Sequence, residues 1–489
     1  MEKLFYRFRR VENLLGKYAE LERQTIYFAA PNELNDPMEG FSDIYWSGDN
    51  IVWKNLFRNY VMCLEHVFGQ LCIGGEEHYV ISADNIHPYC NIDDYPTQLY
   101  RDKVDQILND FFDENIISLV DKISKRNTPI KKDELYFYLQ SIHIHAFETI
   151  RINFERSGLI PKTKMDISNA SANVKKIIDD GFFEILGDLI KEHGEDAVPA
   201  FCSAFRNVQD ELSLIQTFNK GLSKKKSLNF ILNFFTEHYI KKLETLCYRD
   251  WYTACFMTEC ENSSIWGSYG DNHKGICLIF KPEIENENYT LSFRDIVGYS
   301  MHKGDPESTY HYGFKKHSLH EINYQADFIS YNFFTNLGVM NGNTLRKMWF
   351  SDSEGNHSSC SKEMWDDIEK WREKYWENYL RRNTTKTIDW SYENEYRVIL
   401  DSFFNDYSDK AKRTLTYDFN SLDGLIFGIN TELEDKLKIM DIIKNKCKEN
   451  GREKFNFYQA YYSSKDKCIK HNLLNLLKFD EKSTEIEKV

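Results

Sequence analysis

The chain has 489 residues, too many for one compact core and enough for two or three domains. Its 42% hydrophobic and 15% aromatic content belongs to a folded protein, not a disordered one. With 62 Lys and Arg against 76 Asp and Glu the net charge is −14, which disfavours general attraction to nucleic acid but leaves room for a local basic groove. Eleven scattered cysteines without a C-x-x-C pair read as reduced thiols. With a charged, strand-like N-terminus that has no apolar signal core, they predict a cytoplasmic protein. No run of 18 apolar residues occurs, so no membrane span is expected.

Leu4 to Phe8 reads as a strand, with Arg7 and Arg9 on one face. Apolar residues at 11, 14, 15 and 18 have helical spacing, and Thr25 to Phe28 reads as a second strand. It runs into the turn chemistry of Asn35-Asp36-Pro37. Asp36 and Glu39 are either turn residues or groups at the mouth of a cleft beside the arginines.

From residue 51 to 250 the periodicity becomes helical, in 104–123, 174–189 and 228–243. This predicts a mainly α-helical insert without a chemical motif. His143 and His145 would diverge on a helix and read as structural.

Strand character returns at Trp251–Met257, followed by Thr258. A short helix is expected over Ser263–Tyr269, a turn over Asp271–Gly275 and an apolar strand over Ile276–Phe280. Beside Trp266 and Tyr269, His273 could cap a ring-binding slot. The aromatic stripe of 364–379 reads as a core contact. Asp389 to Leu400 reads as a strand with Glu393, Glu395 and Arg397 on one face and Tyr392, Tyr396 and Val398 on the other. Two carboxylates and a guanidinium on one face must be wet, mutually paired, or an active site. A strand over 422–428, a helix over 432–450, a strand over 455–462 and a charged tail from Asp480 complete the chain.

Five blocks occur in order: Phe5-Tyr6-Arg7-Phe8-Arg9; Leu34-Asn35-Asp36-Pro37-Met38-Glu39; Cys255-Phe256; Trp266-x-x-Tyr269-x-x-x-His273-Lys274-Gly275; and Trp390-x-Tyr392-Glu393-x-Glu395-Tyr396-Arg397. Together they resemble a bacterial family catalogued only as a domain of unknown function (number 2971). The resemblance covers 4–50, 251–280 and 386–430. That family usually has Ser after Cys-Phe, where this chain has Met257 and then Thr258.

The block order is also similar to ADP-ribosyltransferases. Their layout implies an α+β fold, a split β-sheet core, carrying here a large helical insert. Residues 1–50 and 251–430 would form the core, 51–250 the insert, and 431–489 a helix–strand extension. The resemblance implies NAD as substrate, cleavage of its nicotinamide–ribose bond, and transfer of ADP-ribose to an unknown acceptor, as in a bacterial toxin or defence effector. It assigns catalysis to Glu395, Glu393 and Arg9. It assigns NAD binding to Arg7, Arg9, Thr258, Trp266, Tyr269 and His273, with no metal. The residue types suit this chemistry, because a carboxylate stabilises an oxocarbenium-like ribose and a guanidinium forks onto phosphate. Two alternatives are a metal-dependent nuclease or phosphodiesterase using Asp36, Glu39, Glu393 and Glu395, and a non-catalytic binding or sensor module. The acceptor and the oligomeric state are not legible.

Overall fold

The computed structural model describes residues 3–162, 170–220, 226–300, 309–402 and 405–475. The charged tail from Asp480 lies outside the described residues. The chain groups into two units. The first comprises 1–41, 250–328 and 380–489, and the second 42–249 and 329–379.

The first unit is a mixed α+β structure built on one twelve-stranded sheet. In chain order its strands are β1 (Phe5–Arg9), β2 (Thr25–Tyr27), β3 (Trp251–Met257), β4 (Ile276–Phe280), β5 (Glu283–Glu285), β6 (Asn288–Ser300), β7 (Thr309–Glu321), β8 (Glu395–Asp401), β9 (Thr414–Tyr417), β10 (Leu422–Phe427), β11 (Asn456–Ser463) and β12 (Cys468–Leu473). They lie in the order β12-β11-β10-β4-β1-β3-β8-β7-β6-β9-β2, with β5 beside β6. Pairing is antiparallel except between β10 and β11. Those two are joined by the helix Leu433–Glu449, as a parallel pair requires a crossover.

Strand β4 is apolar and buried along its whole length because both of its faces are covered. Along β4, Ile276, Leu278 and Phe280 enter one core cluster, while Cys277 and Ile279 enter a second. This is the period-2 alternation of a strand between two cores. The sheet also curls. Beyond β3 it runs β8-β7-β6-β9-β2, and the chain just after β2 returns to β3. There Ala29 and Thr253 exchange two hydrogen bonds of 2.8 Å.

β3 therefore serves two neighbours on one edge, pairing with Ala29 at Thr253 and with β1 at Met257. Between these points the Cys255 carbonyl has no strand opposite it. Arg7 fills the gap, donating to Cys255 O at 2.8 Å and to Tyr27 O at 3.3 Å. A buried carbonyl needs a partner, and here a side chain supplies what a strand does not.

The second unit holds the long helices, among them Asn50–Gly74, Lys132–Arg156 and Ala197–Lys220, and a three-stranded sheet. His143 is buried there between Tyr60 and Ile231 O. The division differs from the expected one in three places. Residues 42–50 group with the helical unit and not with the core, because Asp43–Trp46 is a strand of the three-stranded sheet. Residues 329–379 group with the helical unit, because Ser330–Asn332 pairs in parallel with Asp43–Trp46 and Phe333 and Trp349 pack there in ring contact. Residues from 431 do not form a separate extension, because β11 adds directly to the main sheet at β10. In the aromatic stripe, Tyr375 and Tyr379 are buried and Trp371 stacks on Tyr375. Among the described residues no helix is long and apolar enough to cross a membrane.

Candidate functional site

The site is built around the start of β8. The strand expected from Asp389 begins only at Glu395. Before it, Ile388–Glu393 forms a 3-10 turn, and Asn394 adopts a left-handed conformation with φ 44°. Short polar Asn tolerates that conformation better than most residues. The reversal brings Glu393 and Glu395 together by a different route from strand alternation. Tyr396 and Val398 do enter the core on the opposite face.

Lys386 joins the two carboxylates. Its Nζ donates to Glu393 at 2.7 Å and to Glu395 at 3.2 Å, and lies 3.6 Å from Glu39. It also sits 4.6 Å from the centre of the Trp390 ring. Arg397 donates to Glu395 Oε1 at 2.7 Å, to both oxygens of Glu39 at 2.7 and 2.8 Å, and to Asn383 O at 3.0 Å. All five charged side chains are at most 5% exposed. Three carboxylates thus face two cations in a desolvated cluster, an arrangement stable only when each group is paired.

The carboxylates are not equivalent. Burial opposes ionisation of Glu395, but the adjacent Arg397 and Lys386 charges outweigh it and hold the carboxyl below the usual range. Burial dominates at Glu393 and raises it, with Lys386 and Tyr269 offsetting only part. Glu393 accepts from Tyr269 Oη at 2.5 Å, and Tyr269 Oη in turn accepts from Asn35 Nδ2 at 3.1 Å. Two neighbouring carboxyls pushed in opposite directions are the arrangement that divides acid–base and electrostatic roles.

Glu393, Glu395, Lys386 and Tyr269 line a cavity of about 860 Å³, whose wall also contains Arg7 and Arg9. The sheet places them there: β1 supplies the arginines, β8 and the turn before it the carboxylates, and the helix Ser263–Ser268 leads into Tyr269. That helix is capped by the Asn262 side chain, which accepts from Ser264 N. Arg7, besides bridging the sheet gap, is held down at about 10 by burial and by Arg9. Arg9 forms a bidentate pair with Glu20.

Three expected ligand-binding residues lie elsewhere. Trp266 is 1% exposed in the second core cluster. Its indole N–H donates to Cys260 O, and its ring meets Phe8 edge to face, so it offers no stacking face to the cavity. Thr258 donates through both its amide and its hydroxyl to Asn394 O, which fixes the turn before Glu395. His273 sits in its turn with φ 67°, and its carbonyl accepts from Asn430 N. Neither Thr258 nor His273 lines the cavity. Asp36 bonds Met38 N, as a turn residue does, whereas Glu39 reaches the charged cluster.

Lys386, Asn35 and Glu20 are site residues that sequence reasoning did not single out. Lys386 is seven residues before Glu393, and the intervening 3-10 turn gives no recognisable period. Tyr324, whose Oη accepts from Glu395 N at 2.9 Å, left no signal either.

Fold and site thus define an α+β protein whose curled sheet holds a cavity with a buried, charge-paired acidic cluster. Residues 265–398, which carry Tyr269, Lys386, Glu393, Glu395 and Arg397, match the model of the family described as protein of unknown function (DUF2971). No curated protein and no solved structure matches the chain.

Proposed function

We propose that the chain is an ADP-ribosyltransferase-like enzyme that cleaves the nicotinamide–ribose bond of NAD and passes ADP-ribose to an acceptor. The observation that carries this reading is the meeting in one cavity of two β1 arginines, Tyr269 and two carboxyls of opposite acidity. The cavity volume falls within the roughly 300–1,000 Å³ of small-molecule sites.

In this reading NAD is the substrate, and the C–N bond breaks with its electron pair leaving on nicotinamide. The ribose becomes oxocarbenium-like, and ionised Glu395 stabilises that charge. Arg397 and Lys386 hold the Glu395 carboxylate in one orientation, so it need not reorganise during the reaction. Glu393, bonded to Tyr269 and raised by burial, is as a carboxylate the stronger base of the two and receives the proton of the attacking acceptor. The arginines face the dinucleotide phosphates. A metal-dependent hydrolase is less well supported, because Lys386 and Arg397 already compensate Glu39, Glu393 and Glu395.

The test is nicotinamide release from NAD by the wild type and a folded Glu395→Gln variant, with and without chelator. Loss of release in the variant and indifference to chelator are expected. Undiminished release by the variant would remove Glu395 from the mechanism, and loss on chelation would favour the hydrolase.

A further inference from the structure

We propose that Glu20 is a built-in anion at the arginine end of the cavity, occupying Arg9 in place of a ligand phosphate, and that an anionic ligand binds by displacing it. This rests on the reading above, in which the cavity takes a dinucleotide.

Arg9 and Glu20 both line the cavity, as does Arg7. Arg9 Nε donates to Glu20 Oε2 at 2.7 Å while a second guanidinium nitrogen takes Oε1. This parallel fork is the geometry by which arginine also takes two oxygens of a phosphate. Arg9 therefore cannot give its fork to a ligand while Glu20 holds it. Arg9 remains 20% exposed, so the pair is within reach of a ligand in the cavity.

The charge count at this end favours an incoming anion. Arg7 lies close enough to Arg9 for their charges to oppose one another, and Glu20 offsets this only in part. Two guanidiniums thus share one nearby carboxylate, and a phosphate of higher charge would compensate both.

The backbone is also specialised here. Glu20–Arg23 is a single helical turn bracketed by Ala19 at φ 46° and Gln24 at φ 58°, both left-handed and neither a glycine. Such conformations persist where the surrounding structure enforces them, and they cluster at functional sites. Leu21 anchors the turn in the main core. Displacement of Glu20 is accordingly a side-chain rotation, not an unfolding of the turn.

The experiment titrates inorganic pyrophosphate into the full chain by calorimetry. Glu20→Gln should bind about tenfold more tightly than wild type, since the competing charge is gone. Glu20→Asp keeps the charge but shortens the reach, and should also bind more tightly. Glu33→Gln removes a carboxylate elsewhere on the same wall and should change affinity much less. A crystal of the wild type with pyrophosphate should show Arg9 on the ligand and Glu20 turned away. Affinity in both Glu20 variants equal to or below that of wild type would mark the pair as purely structural and overturn the proposal. So would a pyrophosphate complex with the Arg9–Glu20 pair intact, a wild type that binds no pyrophosphate, or an equal gain in Glu33→Gln. Nicotinamide release is scored separately. Tighter pyrophosphate binding without NAD turnover would sink the NAD reading alone, and NAD turnover without the gain would sink the Glu20 proposal alone.

Discussion

Tyr269 Oη donates to Glu393 Oε1 at 2.5 Å, joining a short helix to a turn 124 residues further along the chain. The bond ties the raised carboxyl to the cavity wall and links it to Asn35. Tyr269→Phe deletes the hydroxyl and leaves a buried carboxyl one partner short, which costs about 1–3 kcal/mol. Urea denaturation should show this loss with an unchanged m-value. Transfer to an acceptor should fall more than nicotinamide release, because Glu393 serves the acceptor in the proposed mechanism. Equal effects on both would place Tyr269 with the ribose instead.

Glu395→Gln should lower NAD cleavage by about 10²–10³, the usual effect of losing one preorganised electrostatic partner. The amide keeps the shape but not the charge. Stability should fall too, since breaking a buried pair costs about 3–5 kcal/mol. Circular dichroism must therefore show a folded variant before rates are compared. Glu393→Gln should spare slow hydrolysis to free ADP-ribose while abolishing transfer.

The two carboxyls predict opposite pH dependences of stability. Glu395 is held low by Arg397 and Lys386 against burial, so its contribution is present above the unfolded glutamate value of about 4.3 and is lost as pH falls through its folded value. The advantage of wild type over Glu395→Gln should shrink on acidification below about pH 4.3. Glu393 is raised by burial, so its ionisation opposes folding as pH rises through its folded value. Relative to wild type, Glu393→Gln should gain stability with rising pH. Denaturation curves from pH 3 to 8 read both signs, and parallel trends in the two variants would refute the assignment.

Arg7 serves the sheet as well as the cavity. Arg7→Leu leaves the Cys255 and Tyr27 carbonyls without their guanidinium and should cost about 1–3 kcal/mol for each orphaned group. Hydrogen exchange should report faster opening at Ala29 and Thr253, where the sheet curls closed. A variant as stable as wild type would mean that water replaces the guanidinium at the gap.

Gly428→Ala tests the turn that leads from Tyr269 into β4, at residues that do not themselves line the cavity. A Cβ there would meet the carbonyl oxygens of His273 and Gly275, both backbone atoms. The 271–275 turn must shift, at a cost of about 1–3 kcal/mol. Thermal melting should show it while pyrophosphate affinity stays unchanged, because none of these residues lines the cavity.

The sequence by itself determined the local elements whose signals are local. The apolar alternation of Trp251–Met257 and Ile276–Phe280, the capped turn at Ser263 and the helical spacing after Glu432 are each legible within about ten residues, and each became the expected element. It also drew attention to Glu393, Glu395, Arg7, Arg9 and Tyr269 as polar groups on otherwise apolar elements. Tertiary structure decided what those groups touch. Trp266 and Tyr269 lie three positions apart on one helical segment, yet the first is sealed into a core and the second lines the cavity. Which side faces the sheet depends on how the helix packs, and no local periodicity records that. The pairing of Ser330–Asn332 with Asp43–Trp46 joins segments nearly 290 residues apart, so no boundary at 329 could be read. The placement of Lys386 between two glutamates depends on a 3-10 turn and a left-handed Asn394. Sequence fixes residue types, but the partners of a buried charge are set by whichever remote groups the closed sheet brings within hydrogen-bonding distance.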